Sequence, residues 1–264
     1  MKILFIGDIF AKSGRKAIIE NVANIKKTKK IDLVIANAEN ASHGRSLTKS
    51  NYDDLINAGV DMVTMGNHTW DIPEFYKLSN EAKIIRPFNV EKGTKEANNG
   101  VGTKIFNLGK KRIQITNLLS QQCNTKNAIV TNPFKAMEWI LTNTSKPDIH
   151  IIDFHAETTS EKKAFLYAFA GKVELIVGTH THVQTSDEQI YKNTAFITDL
   201  GMCGAKESII GAKPDEIIDM FKGNRPKFHL EPGKGPYQFN SIIVEIDDKT
   251  NKPKKIYRYN INNN

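Results

Sequence analysis

Cysteine is nearly absent: Cys123 and Cys203 are the only two in 264 residues. That excludes a disulfide scaffold and a cysteine-rich zinc module, and it points to a reducing compartment. Long apolar runs are missing as well. Ile3–Ile6 is broken at once by Gly7-Asp8, whereas a signal peptide needs an apolar stretch of roughly 7–15 residues and a membrane helix about 20. A cytoplasmic chain with no membrane partner is expected. Arginine is scarce, with six residues against 31 lysines. No internal repeat and no interdomain linker breaks the pattern.

What is present is ordinary for a folded domain. Hydrophobic residues make up 39% and charged residues 25%, which excludes global disorder. The net charge of +8 invites an anionic partner. The lysines are scattered, however, as at Lys26, Lys27, Lys29 and Lys30, and are not interleaved with aromatics. Asparagine is also abundant, at 25 residues, so the basic excess reads as a composition bias. Stable nucleic-acid binding is not expected.

Lys2–Ile6, Ile31–Ala36 and Asp61–Met65 are short runs rich in branched residues and read as buried strands. Gly14–Lys27 and Thr48–Ala58, the latter with Thr48 as cap, have helical spacing. This alternation predicts a parallel sheet. Val101–Leu108 and Arg112–Leu118 flank a hairpin signal at Gly109-Lys110-Lys111. Pro133–Leu141 and Ser160–Ala170 read as helices; Ile149–Phe154, Val173–Val177, Gln189–Thr198 and Gln238–Ile246 read as strands. Gly201–Gly235 reads as a long excursion over one face. The expectation is one α/β domain over residues 1–259 with part-parallel, part-antiparallel sheets, and a frayed tail at 260–264.

The residues that follow the strands carry the chemistry. Asp8, Glu39-Asn40, Asn67-His68, His155 and His180-Thr181-His182 each come at or just beyond the end of an apolar run. Ligand sites of open α/β sheets lie beyond the carboxyl ends of the strands, so these residues can converge. Carboxylate, amide oxygen and imidazole without thiolate suit Mn, Fe or Zn. His180 and His182, two apart, point to the same side if the chain is extended. Glu39, with two carboxylate oxygens, is a natural bridge between cations. Singly, Asp8, Glu39-Asn40 and His155 are better explained as cap, turn or core residues, Asn67-His68 is balanced between the two readings, and His180-x-His182 is the best single metal signal; their combination at five strand ends is not explained that way. Asp153 and Glu157 flank His155 as orienting partners or helix-start residues. Arg45 reads as a solvated loop residue or a phosphate contact, and Cys203 as a buried thiol near the site. His43, His150 and His229 have no motif support, and Trp70 and Trp139 read as packing residues.

Gly7-Asp8, Glu39-Asn40, Gly66-Asn67-His68, Asp153-Phe154-His155 and Gly178-Thr179-His180-Thr181-His182 together resemble the calcineurin-like metallophosphoesterase superfamily. With Asn37–Ala41, Gly66–Asp71, Arg86-Pro87-x-Asn89 and Ile197–Gly204, the chain looks more narrowly like the YmdB-type bacterial phosphodiesterases. Two departures from the broad superfamily, Phe10 in place of a first-motif histidine and Glu39 in place of a bridging aspartate, are typical of that branch. The resemblance implies a four-layer sandwich of two mixed β-sheets flanked by α-helices. It implies two divalent or mixed-valence transition-metal ions, Fe or Mn before Zn. Asp8, Glu39, Asn40 and His182 would hold the first, and Glu39, Asn67, His155 and His180 the second. His68 would stay off the metals as proton donor while a metal-bridging hydroxide attacks a phosphodiester, such as a cyclic nucleotide of the 2′,3′ type. The alternatives are a metal-containing nucleotide-binding or RNA-binding regulator with little turnover and, more weakly, a metal-dependent amidohydrolase. Self-association into a homo-oligomer is compatible with all three.

Overall fold

The first strand shows why layers form on both sides of a sheet. β1 (Lys2–Ile6) is a continuous apolar run, and successive side chains of a strand point to opposite faces, so both faces need a cover. Ile3 and Phe5 pack with Ile113, Ile149, Ile151 and Val177 of a second sheet. Leu4 and Ile6 pack on Ala17, Ile18 and Val22 of helix α1 (Ala11–Lys29). The computed structural model describes residues 1–224 and 231–263.

The first sheet has the order β14 (Pro253–Arg258), β13 (Ser241–Ile246), β1, β3 (Leu33–Asn37), β4 (Met62–Thr64). β1, β3 and β4 run parallel, and β13 and β14 are antiparallel additions. The second sheet has the order β5 (Thr103–Leu108), β6 (Lys111–Leu119), β7 (Ile149–His155), β8 (Leu175–Thr179), β10 (Thr194–Ile197), β9 (Gln189–Tyr191). β6, β7, β8 and β10 are parallel. Helices α1 and α2 (Lys49–Asn57) cover the first sheet; α5 (Pro133–Asn143) and α6 (Thr159–Phe169) cover the second, through Met137, Phe165, Leu166 and Phe169. This is the expected sandwich of mixed sheets between helices. Thr48 caps α2, its side chain accepting from the Asn51 N–H. Two one-turn helices, α3 (Phe75–Leu78) and α4 (Lys95–Asn98), lie between the halves in sequence.

Several expectations need correction. A third, four-stranded sheet joins β15 (Ile261–Asn262), β12 (Tyr237–Phe239), β11 (Met202–Ala205) and β2 (Asp8–Ile9). Gln238–Ile246 is therefore not one strand. It breaks at Asn240, whose carbonyl accepts from the Gly7 N–H, and the two pieces enter different sheets. Gln189–Thr198 is a hairpin, turned at Lys192-Asn193 with φ of 46° and 64°. The segment expected to fray contains β15, which pairs with β12. The Gly201–Gly235 excursion holds β11 and helix α7 (Pro214–Phe221); its residues 225–230, with His229, lie outside the described residues, as does Asn264. Trp70 is buried, but Trp139 is largely exposed, stacked on Phe88. Among the described residues, no helix is long and apolar enough to cross a membrane.

Candidate metal centre

Parallel pairing puts the carboxyl ends of β1, β3 and β4 at one edge, and those of β7 and β8 beside them across the sandwich. Asp8 opens β2 directly after β1. Glu39 and Asn40 lie in the turn after β3, Asn67 and His68 in the turn after β4, and His155 is the last residue of β7. His180 and His182 follow β8 with φ of 104° and 65°. The chain there is coiled, so the extended-strand argument for these two histidines fails. They reach different partners.

His155 Nε2 stands at the centre of one group of donors. Asn67 Oδ1 lies 2.9 Å from it, His180 Nδ1 3.0 Å and Glu39 Oε1 3.1 Å. Glu39, His155 and His180 can place one ligand atom each within 4.8 Å of one another. Spacings near 3 Å are those of ligands sharing one ion at bonds of about 2.1 Å and angles near 90–109°. A second group adjoins it. His182 Nε2 lies 3.2 Å from Asn40 Oδ1 and 3.9 Å from Asp8 Oδ1. The other oxygen of Asp8 accepts from the His180 N–H at 3.3 Å. Asp8 Oδ1 is buried and has no hydrogen-bond partner. A buried carboxylate oxygen left without a donor is costly, and a cation is the partner that this oxygen lacks. The residues fit a metal centre on that ground and on the nitrogen-and-oxygen character of the set.

The electrostatics agree. Burial pushes the Asp8 carboxyl well above its usual range; His155 opposes this, and Asp199, Glu39 and Asp153 reinforce it. Burial would raise Glu39 too, but His155 holds it well below the usual carboxylate range. Burial would lower His155, yet the charge and hydrogen bond of Glu39, with Asp8 and Asp153, push it up to about 9. Burial and the neighbouring His155 push His180 down to about 4. Burial likewise lowers His182. Glu39, Asp8 and Asp153 thus favour positive charge at His155, while His180 and His182 are held toward their neutral forms.

Outer residues hold these side chains in place. His155 Nδ1 meets Thr179 Oγ1 at 2.8 Å, and that hydroxyl donates to Asp153 Oδ1 at 2.7 Å. Asp153 Oδ2 accepts from Asn37 and Thr64, so the hydroxyl proton of Thr179 is committed. Thr179 then accepts from His155 Nδ1–H, which turns Nε2 toward Glu39 and Asn67. Asp153, two residues before His155, orients it through Thr179. Glu157 Oε2 lies 2.6 Å from His180 Nε2, and His182 Nδ1 lies 2.8 Å from the Ile210 carbonyl. Arg45 and His43 line the pocket above the donors. Cys203 is fully buried, as expected of an inert thiol, and burial pushes its pKa well up.

His68 lines the same pocket, and its ring Nδ1 pairs with Asp71; its backbone N–H donates to Glu39 Oε2 at 2.9 Å. Three partners escaped sequence reading. Asp71 Oδ2 sits 2.9 Å from His68 Nδ1; its three-residue spacing from His68 was the available signal. Thr179, a short polar residue ending a buried strand, was another. The third is Asp199, in a fully buried ion pair with Lys162 at 2.6 Å, which also accepts from the Thr181 N–H between the two histidines. Nothing in the spacing links positions 162, 181 and 199.

Fold and donor set define a protein of the metallophosphoesterase class. The chain belongs to the YmdB-like protein family, whose family model matches residues 4–259. A relative from Bacillus subtilis, named 2′,3′-cyclic-nucleotide 2′-phosphodiesterase, is 40% identical over 266 residues, covering 99% of this chain and 97% of its own. A crystal structure from Mycoplasma pneumoniae, described as a novel phosphatase, superposes with a TM-score of 0.95 at 41% identity, covering 100% of this chain and 94% of that one. A structure of a hypothetical protein from Thermus thermophilus has a TM-score of 0.91 at 32% identity, covering both chains fully.

Proposed function

We propose that this protein is a dinuclear-metal phosphodiesterase acting on cyclic nucleotides, with the 2′,3′-cyclic type as first candidate. The observation that carries this reading is two adjoining donor groups, Glu39, Asn67 and His180 around His155 and Asp8 and Asn40 beside His182, with Asp8 Oδ1 buried and unpartnered. Asp8, Glu39, Asn40 and His182 would hold one ion, and Glu39, Asn67, His155 and His180 the other. Bound there, two transition-metal cations, Fe or Mn before Zn, would neutralise phosphoryl charge and acidify a water nucleophile. The name of the Bacillus subtilis relative supports the substrate class.

The chain's own residues do the rest. His155 and Glu39 are walled off from solvent, so charge on a bound phosphoryl group is strongly felt. Asp71 holds His68 Nδ1, which leaves Nε2 as the atom that carries a transferable proton. Burial would lower the His68 pKa, but the hydrogen bond to Asp71 and the charge of Glu39 raise it, so the protonated form persists toward neutral pH. His68 would donate that proton to the departing sugar oxygen.

The test compares His68→Ala with His180→Ala. His68→Ala should retain about two metal equivalents by elemental analysis and lose on the order of 10²–10⁴-fold in turnover of an alkyl diester. The loss should shrink on an aryl diester, whose phenolate leaves without a proton. His180→Ala should lose metal and activity on both. Equal metal loss in the two variants would make His68 a ligand and sink the proton-donor role. Nucleotide binding without turnover in the metal-loaded wild type would favour a regulator instead.

A further inference from the structure

The turn Ile209–Ala212 contradicts its own local chemistry. Ile209 and Ala212 exchange both backbone hydrogen bonds at 3.0 Å, which makes Ile210-Gly211 a two-residue hairpin turn. Both central residues have positive φ, 47° and 102°. Such a turn asks for Asn-Gly, and a β-branched residue at its first position is the kind that avoids this region. Gly211 is dictated by space as well as by φ, because a Cβ there would lie 2.6 Å from the Phe10 ring. No comparable packing need explains Ile210. Its side chain is 51% exposed and lines the pocket over the donor groups. Its carbonyl meanwhile fixes His182 Nδ1 at 2.8 Å.

A residue held against local preference at a functional site is usually there for what its side chain meets. Phe10, Ala212 and Ile217 line the same cavity beside Ile210, and Arg45 and His43 line it too. The cavity measures about 380 Å³, within the range of small-molecule sites, ~300–1,000 Å³. An apolar wall, a guanidinium and the donor groups in one cavity match a ligand that joins an aromatic ring to a phosphoryl group through a short polar spacer. We propose that Ile210 is a substrate-contacting specificity residue, forming with Phe10 and Ile217 the wall against which the base of a nucleotide lies. The proposal rests on the phosphodiesterase reading for its substrate class, and its test is separable from turnover.

The experiment is calorimetric binding of a nucleoside 3′-monophosphate and of inorganic phosphate to the metal-loaded protein, for wild type, Ile210→Val and Ile210→Asn. Asparagine suits the turn and keeps the carbonyl, so thermal melting should show Ile210→Asn folded with an unchanged or raised Tm. It should weaken nucleotide binding about tenfold, ~1.4 kcal/mol, and lower the nucleotide-to-phosphate affinity ratio by the same factor; Ile210→Val should preserve that ratio. In kinetics, the fall should appear in KM for a nucleoside cyclic phosphate more than in kcat. Nucleotide affinity equal to wild type in Ile210→Asn would overturn the proposal. So would an equal loss toward phosphate, which would mean that the residue acts only through His182. Absence of nucleotide binding in the wild type would overturn it as well. Ile210-dependent nucleotide binding without any diester hydrolysis would uphold the wall and sink the hydrolase reading.

Discussion

His68 Nδ1 lies 2.9 Å from Asp71 Oδ2, one turn further along the same loop. The carboxylate fixes which ring nitrogen faces the pocket and, with Glu39, outweighs the effect of burial to raise the histidine pKa. A proton donor is active below its pKa, so the alkaline limb of the kcat profile marks the loss of that proton. Asp71→Asn keeps an acceptor but removes the charge. It should shift the alkaline limb to lower pH and reduce kcat above neutrality by on the order of tenfold or more, with metal content unchanged. An unshifted limb would remove Asp71 from the proton-donor pair.

Gly66 is a steric necessity of the donor cluster. A Cβ there would lie 2.3 Å from Glu39 Oε2 and 2.5 Å from His155 Nε2, both far inside van der Waals contact. Gly66→Ala should cost about 1–3 kcal/mol of stability through overpacking. It should also drop metal content by about one equivalent, because both displaced side chains belong to the group around His155 Nε2. Full metal content by elemental analysis would show that the cluster absorbs the methyl.

Lys162 and Asp199 form an ion pair with both side chains about 1% exposed. Removing one partner leaves a buried charge without compensation, at a cost of about 3–5 kcal/mol. Lys162→Met should lower the urea midpoint accordingly. Asp199 also anchors the Thr181 and Gly201 N–H groups, so the histidine loop should loosen with it. A cost under about 1 kcal/mol would show that Asp199 is satisfied by its backbone donors alone.

Asp187 lies outside the donor groups and reports on acid stability. Burial would raise its pKa, but the Lys163 ammonium and the Thr198 and Thr185 hydroxyls lower it to about 2. A carboxylate with a depressed folded pKa adds stability above its unfolded value, near 3.9, and loses it as pH falls toward the folded one. The gap in Tm between wild type and Asp187→Asn should be widest near neutrality and should close between about pH 4 and pH 2. A gap constant across that range would show that the loss comes from packing rather than charge.

Much of the fold was legible because its signals are local. The apolar runs at 2–6, 31–36 and 149–154, the Thr48 cap and the Gly109 hairpin each depend on neighbours in sequence. Expectations failed where one apolar run serves two sheets. Gln238–Ile246 reads as a single strand, and only the pairing of Gly7 with Asn240 breaks it. Lys192-Asn193 did carry a turn signal within a run read as continuous. In the site, the strand-end residues could be named from sequence, but not their grouping. His180 and His182 look equivalent by spacing, and their left-handed backbone sends one to His155 and the other to Asn40.

Residue order alone determined which strands end in oxygen and nitrogen donors, since a buried apolar run and the polar residue that stops it are adjacent in the chain. Tertiary structure decided what each donor faces. Asp71 against His68, Thr179 against His155, Asp199 against Lys162 and the carbonyl of Ile210 against His182 are contacts across 3 to 37 residues of sequence. Their geometry depends on how two twisted sheets and a tight turn meet. The reason is physical: burial and hydrophobic period are written one residue at a time, whereas the direction of a lone pair is set only when every neighbouring donor has been placed.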